Sequence, residues 1–186
     1  MTQRRETSDR PMPGDPTREE LVEAMIRVDH AGEYGAVRIY EGQLAVLAGT
    51  GAEAPIREMA EQEQRHLKGF DALVADRHVR PTILAPLWRV AGFALGAGSA
   101  LLGPKAAMAC TKAVEEVIDE HYAAQAERLG DEEADLRALI EDYRADEIAH
   151  RDTAVAHGAE QAPGYALLTG AVKAGSRLAI WLSTRI

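Results

Sequence analysis

Two Glu-x-x-His motifs, Glu63–His66 and Glu147–His150, constrain the fold of this chain more than any other feature of its sequence. Each motif lies in a segment whose apolar residues recur every three or four positions, as they do along one face of an α-helix. Such a face normally packs into a protein core, where an uncompensated charge is costly to bury. The sequence therefore predicts helices whose core-facing sides carry carboxylates and imidazoles.

Cap and turn signals divide the chain into five predicted helices. Thr17 followed by Glu20 is a capping box directly after a proline, which predicts the start of the first helix. Gly32, Gly35 and Gly42 within that helix indicate close packing against a neighbour on one side. No segment alternates apolar and polar residues as a strand does, so the sequence predicts an all-α fold. The predicted helices run over residues 17–48, 55–77, 104–130, 131–158 and 164–186.

The connections between these helices predict a ferritin-like four-helix bundle. Short connections at 49–51 and 130–131 favour two antiparallel hairpins, and the long segment 77–103 joins them. Two hairpins joined by one long crossover is the ferritin-like form of the bundle. We therefore divide the chain into a disordered N-terminal tail (1–16) and one domain (17–186), which includes the crossover 77–103 and a C-terminal amphipathic helix over 164–186.

The other two bundle helices each carry one carboxylate on their apolar stripe. Glu33 interrupts the stripe of the first helix, and Glu115 interrupts that of the third, whereas Glu116 falls on a charged face. Glu33 lies 30 residues before Glu63, and Glu115 lies 32 residues before Glu147. Each pair therefore brackets one hairpin, at heights that can match across the antiparallel turn.

Four inward carboxylates require compensating positive charge, which two divalent cations would supply. The oxygen and imidazole ligand set suits iron or manganese, and a single cysteine, Cys110, excludes a Cys-based zinc site and an internal disulfide. One Glu from each of two helices with Glu-x-x-His from each of the others is the dimetal carboxylate pattern. The alternative is that these residues are solvated surface pairs on miscounted helix faces. The predicted metal ligands are Glu33, Glu63, His66, Glu115, Glu147 and His150.

Charge and composition limit the partners. The chain has 21 Lys and Arg against 30 Asp and Glu, and its net charge of −9 has the wrong sign for a general nucleic-acid binder. Residues 1–16 contain no apolar run and carry three acidic residues, so they predict neither an export signal nor a transit peptide.

Several segments resemble one particular family. They are MIRVDHAGEYGAVRIYEGQ, RPTILAPLWRVAGFALGAGSALLG, KAVEEVIDEHY, DEIAHRD and AGSRLAIWLSTRI. Together they are similar to the bacterial and mitochondrial demethoxyubiquinone hydroxylases, and the resemblance covers about residues 21–186. The stretches HAGEYGA and FALGAG are far more specific than the Glu-x-x-His motifs.

The resemblance implies a di-iron monooxygenase of ubiquinone biosynthesis that hydroxylates a polyprenylated methoxy-methyl benzoquinol with O2. It implies two iron ions bound at the six positions predicted above, and electrons from NADH or the quinol, with the reductant not tightly bound. The N-terminal tail matches no mitochondrial presequence, which points to a bacterial member, and we expect peripheral attachment to the cytoplasmic side of the inner membrane because the substrate carries a long isoprenoid tail. A ubiquinone-biosynthesis complex and a homo-oligomer are compatible with the resemblance.

Further residues near the predicted ligands are candidates for supporting roles. Tyr122 lies on the metal-facing stripe, and with its neighbour His121 it could relay electrons or protons, or simply fill the core. Asp29, His30 and Asp146 are candidates for orienting the histidine ligands, with an ordinary surface or packing role as the alternative.

The crossover is strongly apolar, with one charge, Arg89, in the 21 residues 83–103. Its length is enough for a membrane span, but Pro86, Arg89 and four glycines argue against a stable one. We expect a hairpin or helix lying in the membrane interface, with Trp88 as an anchor. The alternative is that it packs on the bundle or on another subunit.

The last predicted helix has the same two interpretations. It adds Trp181 as a second interfacial ring. Its apolar side consists of Leu168, Val172, Ala179, Leu182 and Ile186, and its local positive charge comes from Lys173, Arg177 and Arg185.

Two alternative functions follow from the bundle pattern alone. One is a ferritin-like di-iron peroxidase or ferroxidase, which would need no apolar entry path. The other is an iron-storage protein or a scaffold of a membrane complex.

Overall fold

The computed structural model describes residues 14–186, which form six α-helices and two short 3-10 turns with no β-strand in that range. The predicted all-α class is confirmed. The predicted disordered tail falls almost wholly outside the described residues. The helices are α1 (Arg18–Leu47), α2 (Glu53–Asp76), α3 (Ala85–Leu101), α4 (Pro104–Arg128), α5 (Ala134–Ala156) and α6 (Tyr165–Ser183).

Local signals predict most helix ends to within a few residues. The Thr17 hydroxyl accepts a hydrogen bond from the Glu20 backbone N–H at 3.2 Å, and the Glu20 carboxylate accepts one from the Thr17 N–H at 2.7 Å. The predicted helix start at Asp131 is wrong. Residues 131–133 form a 3-10 turn, closed by a hydrogen bond from the Glu133 N–H to the Gly130 carbonyl at 3.1 Å, and α5 begins after it.

The four helices α1, α2, α4 and α5 form a ferritin-like bundle, with α1–α2 and α4–α5 as its hairpins. Two apolar layers fill its interior, one on each side of the middle. Burying a side chain such as Ile56 in such a layer stabilises the fold by roughly 1.5–3 kcal/mol. The layer beside the α1–α2 connection contains Ile56, Met59 and Met108, and the opposite layer contains Ile26, Phe70 and Ile140.

Helix α3 packs along the outside of α1 at very short range because glycines line the contact. A Cβ atom on Gly96 would overlap the Ile39 carbonyl oxygen, and one on Gly42 would overlap the Phe93 carbonyl oxygen. The close packing predicted for α1 is therefore confirmed at Gly42. The crossover is a single helix held against the bundle rather than a hairpin.

Helix α6 packs mainly on α4 and also touches α1. Part of its predicted apolar side faces the bundle, since Val172 is buried in a cluster with α1 and α4 and Leu168 packs against it. Trp88 of α3 is half-buried, and its indole N–H donates to the Ser183 hydroxyl at 3.0 Å. This contact joins α3 to α6, and the expected role of Trp88 as an interfacial anchor stays a prediction.

Two of the cations expected on α6 are paired. Lys173 lies 2.5 Å from a Glu116 carboxylate oxygen, and Arg177 lies 3.0 Å from one of Glu120. Their charge is largely balanced by α4, so it adds little to a positive surface. Within residues 14–186, none of the helices combines the length and apolarity needed to cross a bilayer.

We expect the α1–α3 contact to tolerate no side chain at Gly96. Gly96→Ala should destabilise the protein by about 1–3 kcal/mol, because the methyl group forces the two backbones apart. Gly98→Ala is the matched control, since a Cβ there meets nothing within 4 Å. That variant should be neutral or stabilising by up to about 1 kcal/mol, as Ala favours helix over Gly. Equal unfolding free energies for the two variants in denaturant titrations would contradict this account.

Candidate metal centre

The six predicted ligands meet in a polar layer between the two apolar layers of the bundle. Each of them is at most 3% exposed. The sequence prediction that all six face inward is therefore confirmed, and the surface-pair alternative is wrong. Helix α1 provides Glu33, α2 provides Glu63 and His66, α4 provides Glu115, and α5 provides Glu147 and His150.

The six side chains form two overlapping groups, and within each group the candidate ligand atoms all lie within 4.8 Å of one another. We call them the His66 group and the His150 group. Glu63 and Glu147 belong to both, so the arrangement suits two adjacent cations that share two carboxylates. The His66 group contains Glu33, Glu63, His66 and Glu147, and the His150 group contains Glu63, Glu115, Glu147 and His150.

Each of the six residues has one buried atom that makes no well-aligned hydrogen bond among the described residues, although His66 Nδ1 lies 3.2 Å from Glu147 Oε1 and His150 Nδ1 lies 3.0 Å from Glu63 Oε1. Buried polar atoms are normally hydrogen-bonded, so six such atoms in one place require an explanation. Their types, carboxylate oxygen and imidazole nitrogen, are those that bind iron or manganese. The residues therefore fit a pair of divalent cations. The atoms are Glu33 Oε2, Glu63 Oε1, His66 Nδ1, Glu115 Oε2, Glu147 Oε1 and His150 Nδ1.

The electrostatics of the metal-free site also favour cation binding. Burial raises the pKa of Glu63 and of Glu115 well above the usual range, and the nearby charge of Glu147 raises both further. Burial lowers the pKa of His66, but the carboxylates of Glu147 and Glu33, 3.2 and 3.6 Å from Nδ1, outweigh it and raise that pKa to about 12. Without a cation the site holds protons, which divalent cations would displace.

Each histidine is held from outside the site through its other nitrogen. His66 Nε2 lies 3.0 Å from the Asp146 carboxylate, and His150 Nε2 lies 2.6 Å from the Gln62 side-chain carbonyl. Both acceptors make Nε2 the protonated nitrogen, which leaves Nδ1 free to bind a cation. The sequence predicted this position for Asp146 but missed Gln62. The signal was available, because each acceptor directly precedes the glutamate of a Glu-x-x-His motif.

Two tyrosines hold the carboxylates that belong to one group only. The Tyr122 hydroxyl donates to Glu33, and the Tyr40 hydroxyl donates to Glu115 at 2.8 Å. Tyr122 was predicted to face the site, whereas Tyr40 was missed. It follows Glu33 by seven residues, as Tyr122 follows Glu115, so the repeat between the hairpins could have identified it.

The remaining candidates do not contact the histidine ligands. His121 lies 3.1 Å from the buried Asp29 carboxylate, which also accepts a hydrogen bond from Gln125 at 2.8 Å. His30 lies 2.9 Å from Asp71 at the protein surface. The interpretation of Asp29 and His30 as partners of the histidine ligands is therefore wrong. They lie on the α1 turn before Glu33, but their side chains reach other helices.

An apolar cavity of about 410 Å³ lies between α1, α3, α4 and α6. It is lined on α1 by Gly32 and Ala36, which flank Glu33 closely in sequence, and on α4 by Val114, which precedes Glu115. No charged residue lines it in the described part of the chain. The cavity is thus an apolar space on the α3–α6 side of α1 and α4, the helices that carry Glu33 and Glu115.

Comparison with known proteins agrees with this site. The chain matches the family described as "Ubiquinone biosynthesis protein COQ7" over residues 20–183. It is 57% identical to a 3-demethoxyubiquinol 3-hydroxylase of Rhodospirillum rubrum over 98% of this chain and 86% of that one. The human mitochondrial NADPH-dependent 3-demethoxyubiquinone 3-hydroxylase is 52% identical over 89% of this chain and 78% of its own. With nearly its whole length matched, this chain belongs to the COQ7 family of ubiquinone biosynthesis proteins.

Proposed function

We propose that this protein is a di-iron monooxygenase that hydroxylates a polyprenylated demethoxyubiquinol in ubiquinone biosynthesis. The relatives named as 3-demethoxyubiquinol or 3-demethoxyubiquinone 3-hydroxylases support the reaction. The observation that carries the metal assignment is the convergence of six buried carboxylate and imidazole side chains from four helices. The apolar cavity, which neighbours of Glu33 and Glu115 line, does not favour a peroxidase, a ferroxidase or an iron-storage protein, none of which needs one.

The reaction balances with one O2 and two electrons. One oxygen atom enters the unsubstituted ring carbon as a hydroxyl group, and the other leaves as water with two protons. The electrons come from a nicotinamide nucleotide or from the quinol, and the human relative is named as NADPH-dependent. Bound iron would supply the activation of O2.

The protein's own residues hold the cations and set their charge balance. Glu33 and His66 would bind one cation, Glu115 and His150 the other, and Glu63 and Glu147 both. Four carboxylates balance the charge of two divalent ions. The tyrosine hydroxyls hold the unshared carboxylates in place, while Asp146 and Gln62 hold the imidazoles.

Replacing Glu115 by Gln removes one buried carboxyl group and keeps an oxygen that can accept the Tyr40 hydroxyl. Because burial raises the pKa of Glu115, the metal-free fold either retains a proton that the unfolded chain releases or buries a charge, and both cost stability at pH 7. At pH 7, E115Q should therefore stabilise the metal-free protein by about 1 kcal/mol, which is roughly 2–4 °C in Tm. The same variant should lose most of the Tm rise that Fe(II) produces in the parent protein. Anaerobic scanning calorimetry measures both effects.

The control is Glu116→Gln. Glu116 pairs with Lys112 and Lys173 outside the site, so this variant should keep the full Fe(II)-dependent rise in Tm. A full rise in E115Q as well would contradict its role as a ligand.

We propose that the apolar cavity takes the part of the prenyl tail next to the quinol ring. Gly32 and Val114, which directly precede Glu33 and Glu115, line the cavity, so a tail bound there would place the quinol ring close to the metal centre. The apolar walls of the cavity suit a hydrocarbon chain. Helix α6 contributes Ala179 to the wall, and α3 contributes Ala91.

Ala179→Phe should fill part of this cavity. Displacing one or two prenyl carbons costs roughly 0.8 kcal/mol each, so KM for a prenylated demethoxyquinol should rise about tenfold. KM for a ring analogue without a tail should change little. Ala174→Phe is the control, because Ala174 is exposed on the same helix and does not line the cavity. Equal KM effects on both substrates would contradict this position for the tail.

We further propose that the protein lies on the cytoplasmic face of the bacterial inner membrane through an apolar face formed by α3 and α6. Within residues 14–186, all exposed large apolar side chains except Val155 belong to residues 83–102 or 167–186. The most exposed are Leu167 at 81% and Leu101 at 76%. A tail in the cavity could then leave the bilayer between the same two helices. The apolar face comprises Ile83, Leu87, Val90, Phe93, Leu101, Leu102, Leu167, Leu178, Trp181 and Ile186.

Placing charges on the apolar face should weaken membrane binding. The double variant Leu87→Glu with Trp181→Glu should float with vesicles of phosphatidylethanolamine and phosphatidylglycerol at least tenfold less than the parent, since buried charge at the interface is costly. Val155→Glu, on α5 away from this face, should float as the parent does. Flotation of the double variant at the parent level would contradict the proposal.

A further inference from the structure

The metal centre repeats between the two hairpins with few departures. Glu33 and Tyr40 of the first correspond to Glu115 and Tyr122 of the second, 82 residues later. The Glu-x-x-His motifs correspond at an offset of 84 residues. Each group contains three carboxylates and one imidazole. Any difference between the two cation positions must therefore come from the residues that surround the ligands.

The outer partners of the two histidines break the repeat. The acceptor of His66 Nε2 is the carboxylate of Asp146, whereas the acceptor of His150 Nε2 is the neutral amide of Gln62. Hydrogen bonds to an ionised acceptor are roughly twice as strong as those between neutral groups. A carboxylate acceptor also makes the imidazole a more basic ligand.

The aromatic surroundings break the repeat in the same direction. The Tyr143 ring stacks on His66, with ring centroids 4.0 Å apart and planes at 21°. The residue in the corresponding position of α2 is Met59. The ring nearest to His150 on that side is Tyr40, edge-on at 6.3 Å. The His66 ring is therefore held both by the hydrogen bond at Nε2 and by the stacked Tyr143 ring, whereas the His150 ring is held mainly by the hydrogen bond at Nε2.

The stacked position of Tyr143 is built into α2. A Cβ atom on Gly69 would overlap the Tyr143 hydroxyl, so glycine at this position opens the slot that the tyrosine occupies. The residue in the corresponding position of α5 is Thr153. The slot therefore exists beside His66 and has no counterpart beside His150.

Resting on the metal centre proposed above, we infer that the two cation positions are unequal: the His66 position binds a divalent cation more tightly and fills first. Asp146, and Tyr143 in its slot beside Gly69, are the positioning residues that produce the difference. Changes to such outer partners typically alter metal affinity by 10–100-fold, which is enough to separate two binding events.

The test is a titration of the metal-free full-length protein with cobalt(II), which does not need the enzyme reaction and reports ligand geometry in its visible spectrum. We expect two resolved cobalt(II)-binding events whose Kd values differ at least tenfold. Asp146→Asn should weaken the tighter event about 10–100-fold and leave the weaker one unchanged. Gln62→Glu should tighten the weaker event. Asp142→Asn, which removes an exposed charge from the same helix, should change neither.

Proton NMR identifies which position fills. At one equivalent of cobalt(II), we expect one paramagnetically shifted imidazole N–H resonance, and D146N should move it. Q62E should move only the resonance that grows with the second equivalent. Tyr143→Phe keeps the stacked ring and should retain the tight event, whereas Tyr143→Leu should weaken it. If Asp146 had only a structural role, D146N would reduce the cobalt(II) affinity of both positions together and would leave the chemical shifts of the N–H resonances unchanged.

The outcomes separate the two proposals. Two events of equal affinity, or a D146N variant that weakens the second event instead of the first, would overturn the inference while the metal centre stands. Failure of the parent protein to bind cobalt(II) at all would overturn the metal centre and the inference together.

Discussion

Burial of four carboxylates in the middle of a helical bundle is the constraint on which the rest of this structure depends. An isolated ionised carboxylate costs many kcal/mol in a dry interior, and here apolar layers lie on both sides of the group. The tyrosine hydroxyls satisfy one oxygen each of Glu33 and Glu115, and Asp146 and Gln62 satisfy Nε2 of the two histidines. One further atom of each of the six side chains makes no hydrogen bond within the described residues. The side chains that weaken the metal-free fold are therefore the ones that could hold a metal.

The two sides of the bundle have different roles around that centre. The α2–α5 side is polar, and its Asp146 and Gln62 orient the histidines. The α1–α4 side is covered by α3 and α6, which enclose an apolar cavity and carry the apolar face. Glycine contacts such as that of Gly96 with α1 bring α3 close enough to form the cavity wall. Polar groups thus support the centre from the α2–α5 side, and the apolar cavity lies on its α1–α4 side.

Helical periodicity was sufficient to predict that these six residues face one centre, because it determines which residues of a helix share a face. The choice of Glu115 over Glu116 shows this, since adjacent residues of a helix point about 100° apart. The position one turn before a ligand was a weaker guide. Asp29 and His30 lie near Glu33 along α1, yet their side chains contact α4 and α2.

The sequence by itself determined the class of fold, the two hairpins and the set of residues facing the centre, because these follow from local periodicity and turn chemistry. Only the tertiary structure decided which residues meet across helices. The pairing of Tyr40 with Glu115 and of Gln62 with His150 joins side chains 75 and 88 residues apart. The contact of Trp88 with α6 likewise depends on how the crossover packs. Such contacts depend on the rotation and spacing of whole helices, which no local pattern specifies.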